Sequence, residues 1–177
     1  MNERLLDCLR SVRLLANGVP WNVVRNAGTG FRCGPGSHFR PRERILIGRN
    51  VFIGRFAHIA APCIIKDDVM LASFVSFIGG DHRYDVTGLL LSKSGRGSME
   101  PIVVEEEAWI GHGSIVLAGV TIGRGAIVAA GSVVTKNVEP CTIWGSPPAR
   151  FVKQRFPDSA DKARHLQFLD ERYPDSD

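Results

Sequence analysis

Two stretches, residues 47–77 (IGRNVFIGRFAHIAAPCIIKDDVMLASFVSF) and 104–138 (VEEEAWIGHGSIVLAGVTIGRGAIVAAGSVVTKNV), share one six-residue beat. Every sixth position is apolar: Ile47, Ile53, Ile59, Ile65, Leu71 and Phe77, then Val104, Ile110, Val116, Ile122, Val128 and Val134. At this composition, so many hits in one phase arise by chance about once in a million trials. Four residues after these aliphatics stand compact side chains, among them Val51, Ala57, Cys63, Val69, Ala108, Ser114, Ala126 and Ser132. Each hexad thus has two inward positions. A helix would repeat its apolar stripe at three and four residues, and so many β-branched residues and glycines would weaken it. The pattern predicts an all-β fold, a parallel β-helix with one short strand and one corner per hexad. Three hexads close a triangular coil, and coils stack about 4.8 Å apart.

The 177 residues are 44% hydrophobic and 23% charged, with a mean hydropathy of +0.00. That mixture can bury a core and excludes an intrinsically disordered chain. No apolar run approaches the ~18 residues of a membrane span. The amino-terminal MNERLLDCLRSVRLL is charged throughout, unlike a signal peptide, so a cytoplasmic location is expected. Cys8, Cys33, Cys63 and Cys141 lack C-x-x-C spacing and read as reduced thiols, Cys63 serving as a small inward hydrophobe. The net charge of +4 comes from dispersed Lys and Arg, which fits a small anionic ligand and gives no nucleic-acid recognition pattern. The histidines form no H-x4-H pair, so no metal is expected.

The beat breaks once. The interval from Phe77 to Val104 is not a multiple of six, so the coil must extrude a loop over about 79–101 and re-enter in register. Loops on rigid scaffolds carry function. This one opens Gly79-Gly80-Asp81-His82-Arg83-Tyr84-Asp85 and runs on through a small, polar stretch at 92–98, expected to be mobile until a partner binds. Deprotonating a hydroxyl as it attacks a carbonyl needs a base that titrates near working pH, and imidazole, with an ordinary pKa of about 6.5, is suited. His82 is the candidate. A carboxylate would orient it. Asp81, Asp85 and Glu100 are available, with Glu100 beside Pro101 preferred as orienter and Asp85 for the acceptor.

The segment 104–156, with W-I-G at 109–111, G-V-T-I-G at 119–123, A-G-S-V-V-T-K at 130–136 and P-A-R at 148–150, resembles the carboxy-terminal half of hexapeptide-repeat acyltransferases. The likeness spans about 45–156. The loop is similar to that of sugar acetyltransferases through H-x-x-D at 82–85, and to that of streptogramin acetyltransferases through D-H-R-x-D at 81–85. The resemblance implies a left-handed coil, a homotrimer with active sites between subunits, acetyl-CoA as acyl donor, and His82 as the base for direct transfer to a hydroxyl. It implies coenzyme contacts at His112, Ala130, Thr135, Lys136, Arg150 and Lys153. Trp109 would wall the acyl site, and His58 would face the acceptor across a subunit boundary. The implied acceptor is a sugar hydroxyl, in surface-polysaccharide or related carbohydrate metabolism. An antibiotic hydroxyl is the alternative, and a non-catalytic assembly module the third reading.

The domain reading is an amino-terminal helix and cap over 1–44, the β-helix over 45–145, and a carboxy-terminal extension with a helix over 146–177. Apolar spacing at 3–16, and an Asp/Ser cap signal opening 158–172, predict a short helix at each end.

Overall fold

A computed structural model describes residues 3–40 and 44–174, and in it the hexads wind a three-sided parallel β-helix of about six turns. The first face stacks strands Ile45–Ile47, Cys63–Ile65, Ile102–Val104 and Thr121–Ile122. The second stacks Arg32–Cys33, Phe52–Ile53, Met70–Leu71, Trp109–Ile110, Ile127–Val128 and Thr142–Gly145. The third stacks His38–Phe39, His58–Ile59, Ser76–Ile78, Ile115–Leu117 and Val133–Val134. Ile47 pairs with Ile65 and Ile53 with Leu71, so one regular coil takes three hexads. All twelve leading apolar side chains fill the prism and none is more than 5% exposed. The compact corner side chains are buried with them. Ser114 and Ser132, the polar members, both donate their hydroxyls to the Ala129 carbonyl, at 3.0 and 2.6 Å, which offsets their desolvation.

The coil begins earlier than residue 45, the boundary that the hexads suggest. Ala27 bridges to Ile47, Cys33 pairs with Ile53 and Phe39 with Ile59, each interval slightly longer than three hexads. Two additional residues between Phe39 and Ile47 put this first coil out of phase with the rest, so a strict six-residue count passes over it. Helices α1 (Glu3–Ala16) and α2 (Trp21–Asn26) close that end, burying Leu14, Val19, Val23 and Val24 against the core. At only six residues, α2 is too short to show a periodicity.

At the other end, Thr142–Gly145 turns back into Arg150–Gln154, an antiparallel strand added to the second face. Helix α3 (Ser159–Arg172) starts on Asp158, whose carboxylate accepts the Ala160 N–H at 2.8 Å. It lies along the edge joining the first and second faces. Arg155 makes a bidentate pair with Glu107 at 2.7 and 2.9 Å, and the His165 ring reaches the same carboxylate at 2.9 Å. Arg124 bridges Glu106 and Asp170, the Tyr173 hydroxyl donates to Asp68, and Leu169 is fully buried. Among the described residues, no helix is long and apolar enough to cross a membrane.

Candidate active site

The break in the repeat emerges where the third face turns into the first. Ile65 pairs with Val104, more than twice as far along the chain as Ile47 is from Ile65, so this one coil carries a long insertion. The extra residues form a tongue. Its base is a narrow ribbon: His82 bridges antiparallel to Arg96, Arg83 N–H donates to Gly95, and Gly97 N–H donates to Asp81. Ser94 is buried and donates to the carbonyls of Arg83 and Leu91, and Arg96 donates to the Gly80 carbonyl at 2.5 Å. Within the small, polar stretch at 92–98, Gly95, Arg96 and Gly97 are thus paired through their backbone. Gly80 suits the tongue's base, because its φ of +76° lies in the left-handed region that favours glycine.

A cavity of about 510 Å³ opens between the tongue and the third face, lined by Gly80, His82, Asp85, Arg96, Leu117 and Ala118. His82 is solvent-exposed at its mouth. Asp85 lines the same cavity and pairs with Arg83 at 3.6 Å. Glu100 sits where the coil restarts. Its carbonyl accepts from Gly119 N–H at 3.1 Å, and no hydrogen bond joins its carboxylate to His82 among the described residues. Arg96, which no motif singled out, is brought to His82 by the ribbon; the only signal for it was its flanking by Gly95 and Gly97. His58 points outward on the third face, edge-on to His38 at 5.4 Å and one coil above Ser76. Trp109 lies on the second face, 46% exposed, in an outward column with Phe52 and Met70, and does not line the cavity beside its own His82.

The expected coenzyme positions divide between edges. Thr135 and Lys136 turn from the third face toward the first, the edge of the tongue, one coil beyond Leu117. His112 and Ala130 occupy the opposite edge, where the second face turns into the third. That edge is stepped. Phe56 and Phe74 stack at 5.2 Å, and the His112 ring follows Phe74 at 5.3 Å. Gly113 and Gly131 then leave it flat, with open space where a Cβ would stand. Arg150, opposite Gly145, lies at its carboxy-terminal end, with Lys153 opposite Ile143 further along the same strand. From His112 past Ala130 and Gly145 to Arg150 is three strand spacings, roughly 14 Å. A cation thus ends a flat, extended floor.

The buried thiols Cys33 and Cys63 are not poised for chemistry. Burial pushes Cys63 up to about 12. Burial likewise raises Cys33, to about 11, against a smaller lowering by its hydrogen bond with Ser37. Neither supplies a thiolate near neutral pH.

The family model described as bacterial transferase hexapeptide (six repeats) matches residues 44–79 and 101–136, the two halves of the coil on either side of the tongue. Nodulation protein L of Rhizobium meliloti is 34% identical over 140 residues, covering 72% of each chain. The chain belongs to the bacterial hexapeptide-repeat transferase family. The left-handed coil sense is that of this family. A hexapeptide-repeat containing acetyltransferase from Vibrio cholerae superposes with a TM-score of 0.67 at 26% identity, covering 87% of this hexapeptide-repeat chain and 93% of that one. A galactoside acetyltransferase in complex with coenzyme A superposes with a TM-score of 0.54 at 26% identity, over 76% of this chain and 68% of that one. The chain spans 24% to 64% of the length of other curated relatives that it matches, a galactoside O-acetyltransferase of Escherichia coli at 64% among them.

Proposed function

We propose that this hexapeptide-repeat protein is an acetyl-CoA-dependent O-acetyltransferase that acetylates a sugar hydroxyl, of the kind met in surface-polysaccharide or related carbohydrate metabolism. The observation carrying this reading is His82, exposed at the mouth of a cavity in the coil's one large insertion, where a small acceptor can reach it. His82 takes the proton of the acceptor hydroxyl as its oxygen attacks the thioester carbonyl. The carbon–sulfur bond breaks, the imidazolium returns the proton to the departing thiolate, and acetyl ester and free coenzyme A result. Transfer is direct, because the buried cysteines offer no nucleophile. Asp85 meets the acceptor in the same cavity. Glu100 orients His82 only if the tongue moves on binding.

Coenzyme A needs a shallow floor for its pantetheine arm and cations for its phosphates. Gly113, Ala130 and Gly131 offer the floor, Arg150 and Lys153 the cations, and Lys136 a further charge on the edge of the tongue. A backbone N–H near His112 would polarise the thioester carbonyl. The likeness to a galactoside acetyltransferase with bound coenzyme A supports the assignment.

The site is shared between chains. His82 and His112 stand on opposite edges of the third face, and one face of a six-residue coil side is roughly 15–20 Å wide. Two parallel prisms bring the tongue edge of one against the flat edge of the next. A ring of three closes with the third faces inward, satisfying every such contact. The tongue tip, where Tyr84 and Leu90 are 87% and 73% exposed, then covers the Phe52, Met70 and Trp109 column of the neighbour, bringing Trp109 to the site from the adjoining chain.

Subunit mixing tests this. His82→Asn and Ala130→Trp chains, each inactive alone, are co-expressed in equal amounts. A shared site restores thiol release in about one quarter of sites, those drawing His82 and Ala130 from different parents. Mixed protein no more active than its parents would show that each site lies within one chain. An antibiotic hydroxyl, favoured by the D-H-R-Y-D motif at 81–85, is the second acceptor reading and belongs in the same acceptor panel.

A further inference from the structure

The rung at which the second face turns into the third adopts a left-handed backbone in every coil from Gly36 to Gly131. Three coils place glycine there, Gly36, Gly113 and Gly131, with φ from +67° to +75°. Two place phenylalanine: Phe56 at φ +55° and Phe74 at φ +62°. A bulky side chain in this region is a conformational outlier. The core does not require it, because the two rings stay 47% and 50% exposed. The fold thus carries strain to display a stacked aromatic pair that glycine would remove, a pattern associated with function.

We infer that Phe56 and Phe74 form the platform on which the acceptor's ring lies, and that this acceptor is a pyranoside resting its apolar C–H face on them. The inference rests on the acetyl-transfer reading and names what that site selects. The order of rungs supports it. Flat rungs and cations run from His112 toward the carboxy-terminal end, as an extended anionic donor requires. The aromatic rungs lie one and two strand spacings to the other side of His112, about 5 and 10 Å. Donor and acceptor therefore approach the thioester from opposite directions along one edge. Polar groups stand close to the rings to meet a sugar's hydroxyls: the Arg55 guanidinium lies over the Phe56 ring, 5.6 Å from its centre, which leaves Phe74 the more open of the two, and His58 is two residues on from Phe56. An aromatic face bordered by a few polar groups takes a ligand with one apolar face and a hydroxylated edge.

The test uses the full chain with Phe56→Gly, Phe74→Gly, their double variant and Phe74→Tyr. Glycine is the residue of the neighbouring rungs, so these variants fold, with Tm within about 3 °C of wild type. Methyl pyranosides and an open-chain polyol are compared as acceptors. The double variant should raise pyranoside KM about tenfold or more, with acetyl-CoA KM and polyol KM within about twofold, and Phe74→Tyr, which keeps an aromatic ring, should raise pyranoside KM less than Phe74→Gly does. Ligand-observed NMR reads the platform without turnover: pyranoside ring protons should contact the wild type and lose contact in the double variant. Pyranoside binding and KM unchanged in the double variant overturn the inference. So does an equal loss for polyol and pyranoside, which would mean a structural role. Absence of thiol release by the wild type with every acceptor would instead remove the acetyl-transfer reading, a result the NMR comparison keeps distinct.

Discussion

Gly79→Ala probes how tightly catalysis depends on where the tongue is rooted. A Cβ at position 79 would stand 2.4 Å from Ala118 Cβ, an atom fixed to the adjoining coil. Carbon atoms in contact settle near 3.5–4 Å. The coil beneath cannot yield, because Phe77 and Val116 are fully buried in the prism. The tongue's base must therefore move by roughly 1 Å or more, carrying His82 three residues along. Misplacement on that scale costs about 100-fold in turnover. Thiol release under saturating acetyl-CoA measures it, and acetyl-CoA KM should stay within about twofold because the flat edge is untouched. Gly97→Ala is the control on the ribbon's other strand, where an added Cβ meets nothing closer than the Asp81 carbonyl at 4.0 Å. It should be neutral. Gly79→Ala turning over within about threefold of wild type would refute the reasoning, since His82 would then work without a fixed position.

Lys153→Ala should raise acetyl-CoA KM several-fold with kcat retained, as expected for a cation that only binds phosphate; equal affinity in a titration with coenzyme A discards that role. The clamp on α3 predicts a pH dependence. Burial raises Glu107, but the hydrogen bonds and charges of Arg155 and His165 outweigh it and hold the carboxyl below its ordinary 4.5. A depressed carboxyl stabilises the fold fully above its unfolded value and loses that contribution as pH falls through the folded one. The Tm gap between wild type and Glu107→Gln should be largest above about pH 5 and close on acidification. A gap that widens at low pH would contradict this.

The fold was largely legible because a prism has no tolerance for misplaced side chains. Each hexad must supply one large apolar and one compact inward residue, and the runs Ile47 to Phe77 and Val104 to Val138 do so on either side of the tongue, with Ser114 and Ser132 as hydrogen-bonded polar members. Legibility failed where the count changed. The first coil overruns the beat, so Cys33 and Phe39 fell out of phase although both are buried. The Thr142–Gly145 and Arg150–Gln154 hairpin has an exposed outer strand and hence no burial pattern to read.

At the site, position along the chain located the tongue and put His82 at its mouth, since an insertion is visible as a broken period. The tongue's internal pairing was hidden, because Ser94, Gly95 and Gly97 suggest a flexible loop whereas backbone hydrogen bonds, which carry no sequence signature, order it. Distances across the prism were hidden too. Trp109 and His112 follow each other closely in sequence, yet one faces out from the second face and the other marks its edge. Neither lines the cavity of its own His82.

The most direct test of the catalytic claim is the turnover of His82→Asn, which keeps the ring's approximate volume and one polar group while removing the base. Acceptor-dependent thiol release should fall at least ~100-fold while coenzyme A binding, read by calorimetry, stays as in wild type. Turnover at the wild-type level in that variant would contradict the account.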